Sequence, residues 1–311
     1  MEALDYIVLI ILSVSIFFGA YLFWINLPVG ETQEYELIKP NIKNETYQYN
    51  ISNNVQFYPR MRYVDREIRY SIDVKCDLKK QNDILEALSL ISSQTLLRFY
   101  ESENNTQISF VCSEIEPSLE QKNHFVAGEG GPTEIINTSL YYVIFSGKVS
   151  LFRTEKCPEP KIALHEILHA LGFDHNSNEN SIMYPITKCD QQFEKYIIDE
   201  INELYKTDSL PDLAIYDVSA SKTGRYLDFK IEIDNQGLKD VINASLNIIV
   251  NSNIESTFNL EGISIGTRKI MTAENVKVSL DSEEIVFMVK SDSEKEISLE
   301  NNKVSLLLSS D

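Results

Sequence analysis

Three of the four histidines in this 311-residue chain fall inside one segment, His165-Glu166-Ile167-Leu168-His169-Ala170-Leu171-Gly172-Phe173-Asp174-His175. No other feature restricts the fold as much, because the spacing asks for a helix, a sharp stop and a return. On an α-helix, residues four apart stand one above the other, about 6 Å along the axis. His165 and His169 can therefore turn both imidazoles toward one ion, at the roughly 2.0–2.1 Å of zinc–nitrogen bonds. Glu166 neighbours the first of them, so it points beside such an ion and is free to act as a base on a water. Gly172 accepts φ > 0 without steric cost and so suits a helix end, which lets His175 return from outside the helix. Three neutral imidazoles leave one coordination position open, as a catalytic zinc needs and a structural zinc does not. The plainer reading of a single such histidine is a buried ring satisfied by a backbone carbonyl. Gly172 and His175 at their offsets weigh against it.

The pattern His-Glu-x-x-His-x-x-Gly-x-x-His resembles that of the metzincin clan of zinc peptidases, and within it the matrixins. Ser181-Ile182-Met183-Tyr184-Pro185 follows, with Met183 where matrixins place a methionine turn beneath the zinc. Asp199-Glu-Ile-Asn-Glu-Leu-Tyr205 is similar to the closing helix of that family, and Gly128-Glu-Gly-Gly-Pro132 to the glycine-rich loop before its substrate-binding edge strand. The resemblance spans 61–207. It implies a zinc metalloendopeptidase with one catalytic Zn2+ on His165, His169 and His175, Glu166 as the catalytic base, and a peptide or protein substrate. Tyr184 would line the pocket or help to stabilise an oxyanion. There are departures. Asn176 stands where matrixins usually carry serine or threonine, no cysteine-containing propeptide motif is present, and the histidines of a matrixin structural zinc are missing, since only His124 remains.

Near the N-terminus, Tyr6 to Asn26 carries no charge. About 20 apolar residues suffice for a helix across a hydrocarbon core of roughly 30 Å, and Tyr21 and Trp24 suit the membrane interface. A cleaved signal peptide normally has a shorter apolar core after a basic stretch, whereas Met-Glu-Ala-Leu-Asp precedes this one. A transmembrane helix over 6–26, after a short tail (1–5), is therefore expected. Lys39 and Lys43 would weakly place the following chain in the cytoplasm. Cys76, Cys112, Cys157 and Cys189, even in number and without a CxxC pair, favour an oxidising compartment, and sequons at Asn44, Asn50, Asn104, Asn137 and Asn243 agree. The expectation is a single-pass protein with its soluble parts outside. Four cysteines allow three pairings. The ends of the first two strands, and the two sides of the histidine segment, favour Cys76–Cys112 and Cys157–Cys189.

Residues 27–60 are polar and irregular, with Pro28, Pro40 and Pro59, and read as a linker or stalk. The domain at 61–207 should hold strands over 67–75 and 107–112, a long helix over 82–100, a loop at Gly128–Pro132, further β-rich runs over 133–146 and 147–153, the histidine helix, and a helix over 191–206. After Ser209-Leu-Pro-Asp212 the pattern changes to seven or so short alternating stretches, such as Leu227–Ile233 and Ala244–Val250. These suggest an immunoglobulin-like β-sandwich over 211–311. That segment weakly resembles a prokaryotic cell-adhesion-related β-sandwich module through Pro211-Asp-Leu, Asp234-Asn-Gln-Gly237 and Glu300-Asn-Asn302, so a surface partner is one use for it and a spacer another. The expected class is α+β: a twisted mixed sheet with long helices, then the sandwich.

A formal charge of -19, with no Lys/Arg-rich run, argues against a nucleic-acid partner, which needs a basic patch. Two functions then compete: a membrane-anchored endopeptidase, and a surface adhesion or binding protein whose zinc site is not catalytic. Glu166 speaks for the first, because a purely structural site has no use for a carboxylate beside its ligand.

Overall fold

The computed structural model describes residues 3–24, 26–27, 32–37, 55–115 and 126–308. Asn44, Asn50 and His124 lie outside them. The first element, α1 (Ala3–Trp24), carries no charge from Tyr6 onward, and its side chains over that stretch are exposed. At 1.5 Å per residue its 22 residues span roughly 33 Å, long and apolar enough to cross a bilayer.

Part of the segment expected to be irregular is a strand, β1 (Thr32–Leu37). Beyond it lie β2 (Met61–Tyr63), β3 (Glu67–Ile72), α2 (Leu78–Gln94), β4 (Arg98–Glu101), β5 (Ile108–Cys112), β6 (Gly128–Asn137), β7 (Tyr142–Leu151), α3 (Lys161–Ala170) and α4 (Lys195–Leu204). Strands β4, β3, β5 and β7 run parallel in that order, β2 extends the β5 side of β7, and β6 closes the other edge antiparallel. The α2 helix starts where Asp77 accepts the Lys80 N–H at 2.9 Å, and buries Ile84, Ala87, Leu88 and Ile91 at helical spacing. It ends at Gln94, short of the expected 100, because Leu97, just before β4, and Phe99, within it, serve the core.

The loop expected at Gly128–Pro132 is instead the first half of β6. Glycine is required there by proximity rather than by a turn: a Cβ on Gly130 would sit 2.1 Å from the Glu166 carbonyl oxygen, and one on Gly128 2.6 Å from Glu166 Cγ. Pro132 is tolerated because β6 is an edge strand, bulged just beyond that residue.

Helix α3 packs against α2 on one side and against β6 and β7 on the other, and is buried along nearly its whole length. Its first turn is capped from a distance by Glu155, whose carboxylate accepts the N–H groups of Lys156, Cys157 and Ile162. Cys76 is bonded to Cys112 and Cys157 to Cys189, with Cα–Cα separations of 4.9 and 5.1 Å. The second bridge ties the approach to α3 to the segment after Met183.

The C-terminal unit contains β8 (Leu213–Thr223), β9 (Tyr226–Asn235), β10 (Val241–Val250), β11 (Asn253–Ile263), β12 (Arg268–Lys277), β13 (Glu284–Ser291) and β14 (Lys303–Leu308). One layer runs β11-β10-β13-β14 and the other β8-β9-β12, closed over a separate apolar core that includes Ile231, Leu246 and Phe287. Strand β1 bridges the layers, pairing with β8 through Thr32–Tyr35 and with β14 through Tyr35–Leu37. Tyr35 is buried there, its hydroxyl donating to the Ser282 carbonyl at 2.7 Å.

Candidate metal centre

The three histidines of the sequence pattern converge. The Nε2 atoms of His165 and His169 lie 3.0 Å apart, those of His169 and His175 3.1 Å, and those of His165 and His175 3.2 Å. A tetrahedral ion with bonds of about 2.0–2.1 Å spaces its donors roughly 3.3 Å apart, so this triangle of neutral nitrogen donors fits zinc. Among the described residues it is the one group of His, Cys, Asp or Glu side chains close enough to hold a metal ion.

Local folding explains each position. His165 Nδ1 lies 2.6 Å from the Ile182 carbonyl and His169 Nδ1 2.7 Å from the Phe173 carbonyl. Donation at Nδ1 fixes the tautomer that leaves Nε2 free as a ligand. Gly172 has φ 96°, with its N–H donating to the His169 carbonyl and the Phe173 N–H to that of Leu168. This pair of bonds is a Schellman stop. The returning chain is held by Asp174 N–H donating to the Val55 carbonyl and by Phe57 N–H donating to that of Gly172, which delivers His175, exposed, to the other two rings.

Burial pushes the His165 and His169 pKa values down to about 3 and 4, and neighbouring imidazoles push the same way. Both rings are therefore neutral, as metal ligation demands. Glu166 is buried beside them, and its pKa is pushed up to about 8, first by desolvation and then by Glu129, against a backbone hydrogen bond from Gly130.

Met183 is buried under the site in the core that α3 shares. Its turn is tied on both sides, by Ile182 to His165 and by the Asn176 N–H donating to the Met183 carbonyl at 3.0 Å. Asn176, the departure from the matrixin pattern, proves to be a tie. Its amide donates to Ser181 Oγ at 2.7 Å and to the Tyr196 hydroxyl at 2.6 Å, while Ser181 Oγ donates to Glu194 at 2.9 Å. Sequence reasoning singled out neither Glu194 nor Tyr196, because both contacts close only after α4 docks. The Tyr184 ring lies beside the Lys188 ammonium, and the next residues, Pro185, Ile186 and Thr187, line the cleft wall.

That cleft has a volume of about 1170 Å³. The histidines and Glu166 form its floor, and Ala127–Gly130 of the β6 side form one wall. Among the described residues no strand pairs with the other edge of β6.

Residues 62–206 match the model of the matrixin family. This match covers just under half of the chain, includes the whole histidine cluster, and supports a zinc metallopeptidase in that part. A zinc-protease hatching enzyme of the medaka fish Oryzias latipes is 18% identical over 46% of this chain and 90% of its own, with a TM-score of 0.30. The CARDB domain of a Pyrococcus furiosus protein, solved with two metal ions, is 14% identical over 32% of this chain and 88% of its own, with a TM-score of 0.26. No curated protein matches the chain.

Proposed function

We propose that this chain is a membrane-anchored zinc endopeptidase that hydrolyses peptide bonds in protein substrates on the extracytoplasmic side. The observation that carries the reading is the triangle of three Nε2 atoms, 3.0–3.2 Å on a side, beside a buried carboxylate on the floor of an open cleft. His165, His169 and His175 would hold one ion. Zinc bound there supplies a positive charge that acidifies water and polarises a scissile carbonyl.

Glu166 takes the proton released from that water and returns it to the leaving amine. A cation held by the three histidines would oppose the burial that raises the Glu166 pKa and keep the carboxylate ionised to accept that proton. The free edge of β6 presents backbone N–H and C=O groups along the cleft, so an extended substrate segment adds there as a further strand and lies across the histidines. Gly128 and Gly130 let that edge approach Glu166 closely. Helix α1 would anchor the chain, with the two disulfides favouring an oxidising exterior. A non-catalytic zinc site on an adhesion protein accounts less well for a buried carboxylate facing so large a cleft.

Alanine at His165, His169 or His175 is expected to lower zinc content and hydrolysis together. Glu166→Ala should keep close to one zinc per chain and lose about 10²–10⁴-fold in turnover, the usual worth of general-base catalysis. Metal analysis beside a peptide turnover assay decides the matter: wild-type turnover in Glu166→Ala at equal zinc sinks the proposal. Protease added to intact cells should digest the soluble units, and full protection would place them in the cytoplasm.

A further inference from the structure

The anchor leads into the sandwich and not directly into the metallopeptidase unit. Two residues beyond α1, the Asn26 carbonyl accepts from the Tyr226 hydroxyl, and Asn26 Oδ1 accepts from Lys277 Nζ at 2.7 Å. Thr32, where β1 begins, pairs with Thr223. Tyr226, Thr223 and Lys277 share one end of the sandwich, since Thr223 pairs with Tyr226 and Tyr226 with Lys277.

The opposite end carries the metallopeptidase unit. There, Leu238 and Ile265 bury themselves against Tyr141 and Val143, and Thr138 Oγ1 donates to the Gln236 carbonyl at 2.7 Å. The connecting chain is pinned from both sides. Arg66 donates to the Lys206 carbonyl and to Asp208, Ser209 Oγ to the Val64 carbonyl, and the Leu238 N–H to that of Leu210.

From these contacts we infer that the sandwich is a fixed pedestal between the bilayer and the cleft, so that the enzyme cuts bonds held on the order of 30 Å or more from the membrane and spares those next to it. The inference rests on the anchored-endopeptidase reading above. Strands β8 and β9, with 11 and 10 residues, run the length of the pedestal; at about 3.3 Å per residue that is roughly 33 Å. Within the upper unit, the β6–β7 turn meets the sandwich while Gly130 lies level with Val149 near the far end of the hairpin. From Asn137 to Gly130 is a further run of roughly 23 Å at the same rise. The substrate class is a protein whose scissile segment stands clear of the lipid, on a tall domain, on a facing surface or in solution.

Two arms test this on the full chain in liposomes. In the first, no native cysteine is free, so a single fluorophore is placed on Asn180→Cys, in the upper unit between His175 and Met183, or on Glu283→Cys at the lower end, with energy-transfer acceptors on the lipid headgroups. Strong transfer from position 283 and weak transfer from 180 is expected, and equal transfer overturns the pedestal whether or not the protein is active. In the second arm, one cleavable sequence is displayed from a membrane anchor on a spacer of 5 or 40 residues; 5 extended residues reach at most about 18 Å. The short-spacer substrate should be cut at least tenfold more slowly in liposomes, and equally fast once enzyme and substrate are in detergent micelles. Equal cutting in liposomes overturns the inference. Failure to cut a soluble peptide counts against the peptidase reading alone, and recovery of the chain free of the liposomes undoes the anchor and the pedestal together.

Discussion

At the scale of single residues, close approach rather than chemistry sets the tightest constraint near the metal centre. Gly130 and Gly131 are neighbours in β6, yet a Cβ on Gly130 would collide with the Glu166 backbone while one on Gly131 would meet nothing within 4 Å. Alanine at 130 must push the edge strand off α3. Overpacking of that kind costs about 1–3 kcal/mol. Misplacing a reacting group by about 1 Å can cost around 100-fold in rate. Gly130→Ala should thus lower the melting temperature and cut turnover by about one to two orders of magnitude while zinc content stays near one per chain. Gly131→Ala should melt like wild type. Identical melting curves for the two variants would mean that the strand does not press on the helix as described. Met183, by contrast, packs beneath the site and holds nothing by a polar side-chain bond, so Met183→Leu should cost less than about 1.5 kcal/mol and leave zinc bound.

Among the elements, strand β1 shows where the sequence is legible and where it is not. The histidine segment could be read because its logic is local: a helical spacing of four, then a glycine at φ 96°. The helices around it followed the same rule, with α2 displaced only at its ends, whereas the expected break between the β-rich runs 133–146 and 147–153 falls inside β7. Thr32-Gln-Glu-Tyr-Glu-Leu37 is different, because one tyrosine and one leucine among polar residues carry too weak an alternation to mark a strand. What makes it a strand is a partner on each side, β8 and β14, both more than 170 residues away in sequence. Gly128–Pro132 misled for a related reason, since glycine signals turns locally but here answers to a helix 30-odd residues later. The weight of β1 is measurable at Tyr35. Tyr35→Phe removes the bond to the Ser282 carbonyl and should cost about 1 kcal/mol. Tyr35→Ala also opens the core and should cost about 3–5 kcal/mol, as for other large aromatics. Chemical denaturation separates the two. If both variants unfold like wild type, β1 is not part of the sandwich.

On the scale of the whole molecule, two apolar cores are joined by a small third one at the junction, made of Tyr141, Val143, Leu238 and Ile265 with Val64 and Ile297 packed around them. Units with separate cores usually unfold separately unless their interface is apolar and well packed. Here the interface is apolar, and Arg62, fully buried, reinforces it. Its guanidinium donates to the carbonyls of Val64, Leu204 and Thr207 and lies over the Tyr205 ring, fixing the chain as it leaves α4. The intact protein should therefore melt in one calorimetric transition. Leu238→Asp places a carboxylate where the leucine is wholly excluded from water, a burial that costs several kcal/mol when the charge is unpaired. The cheapest escape is to separate the units and wet the junction, leaving both larger cores intact. The expected outcome is two resolved transitions, with hydrolysis of a soluble peptide in detergent micelles within about twofold of wild type, because the histidines and Glu166 lie on α3 and the chain just after it, away from the junction. A single transition at an unchanged temperature would show that the junction contributes nothing to cooperativity, and the upper unit would then be free to swing on its linker.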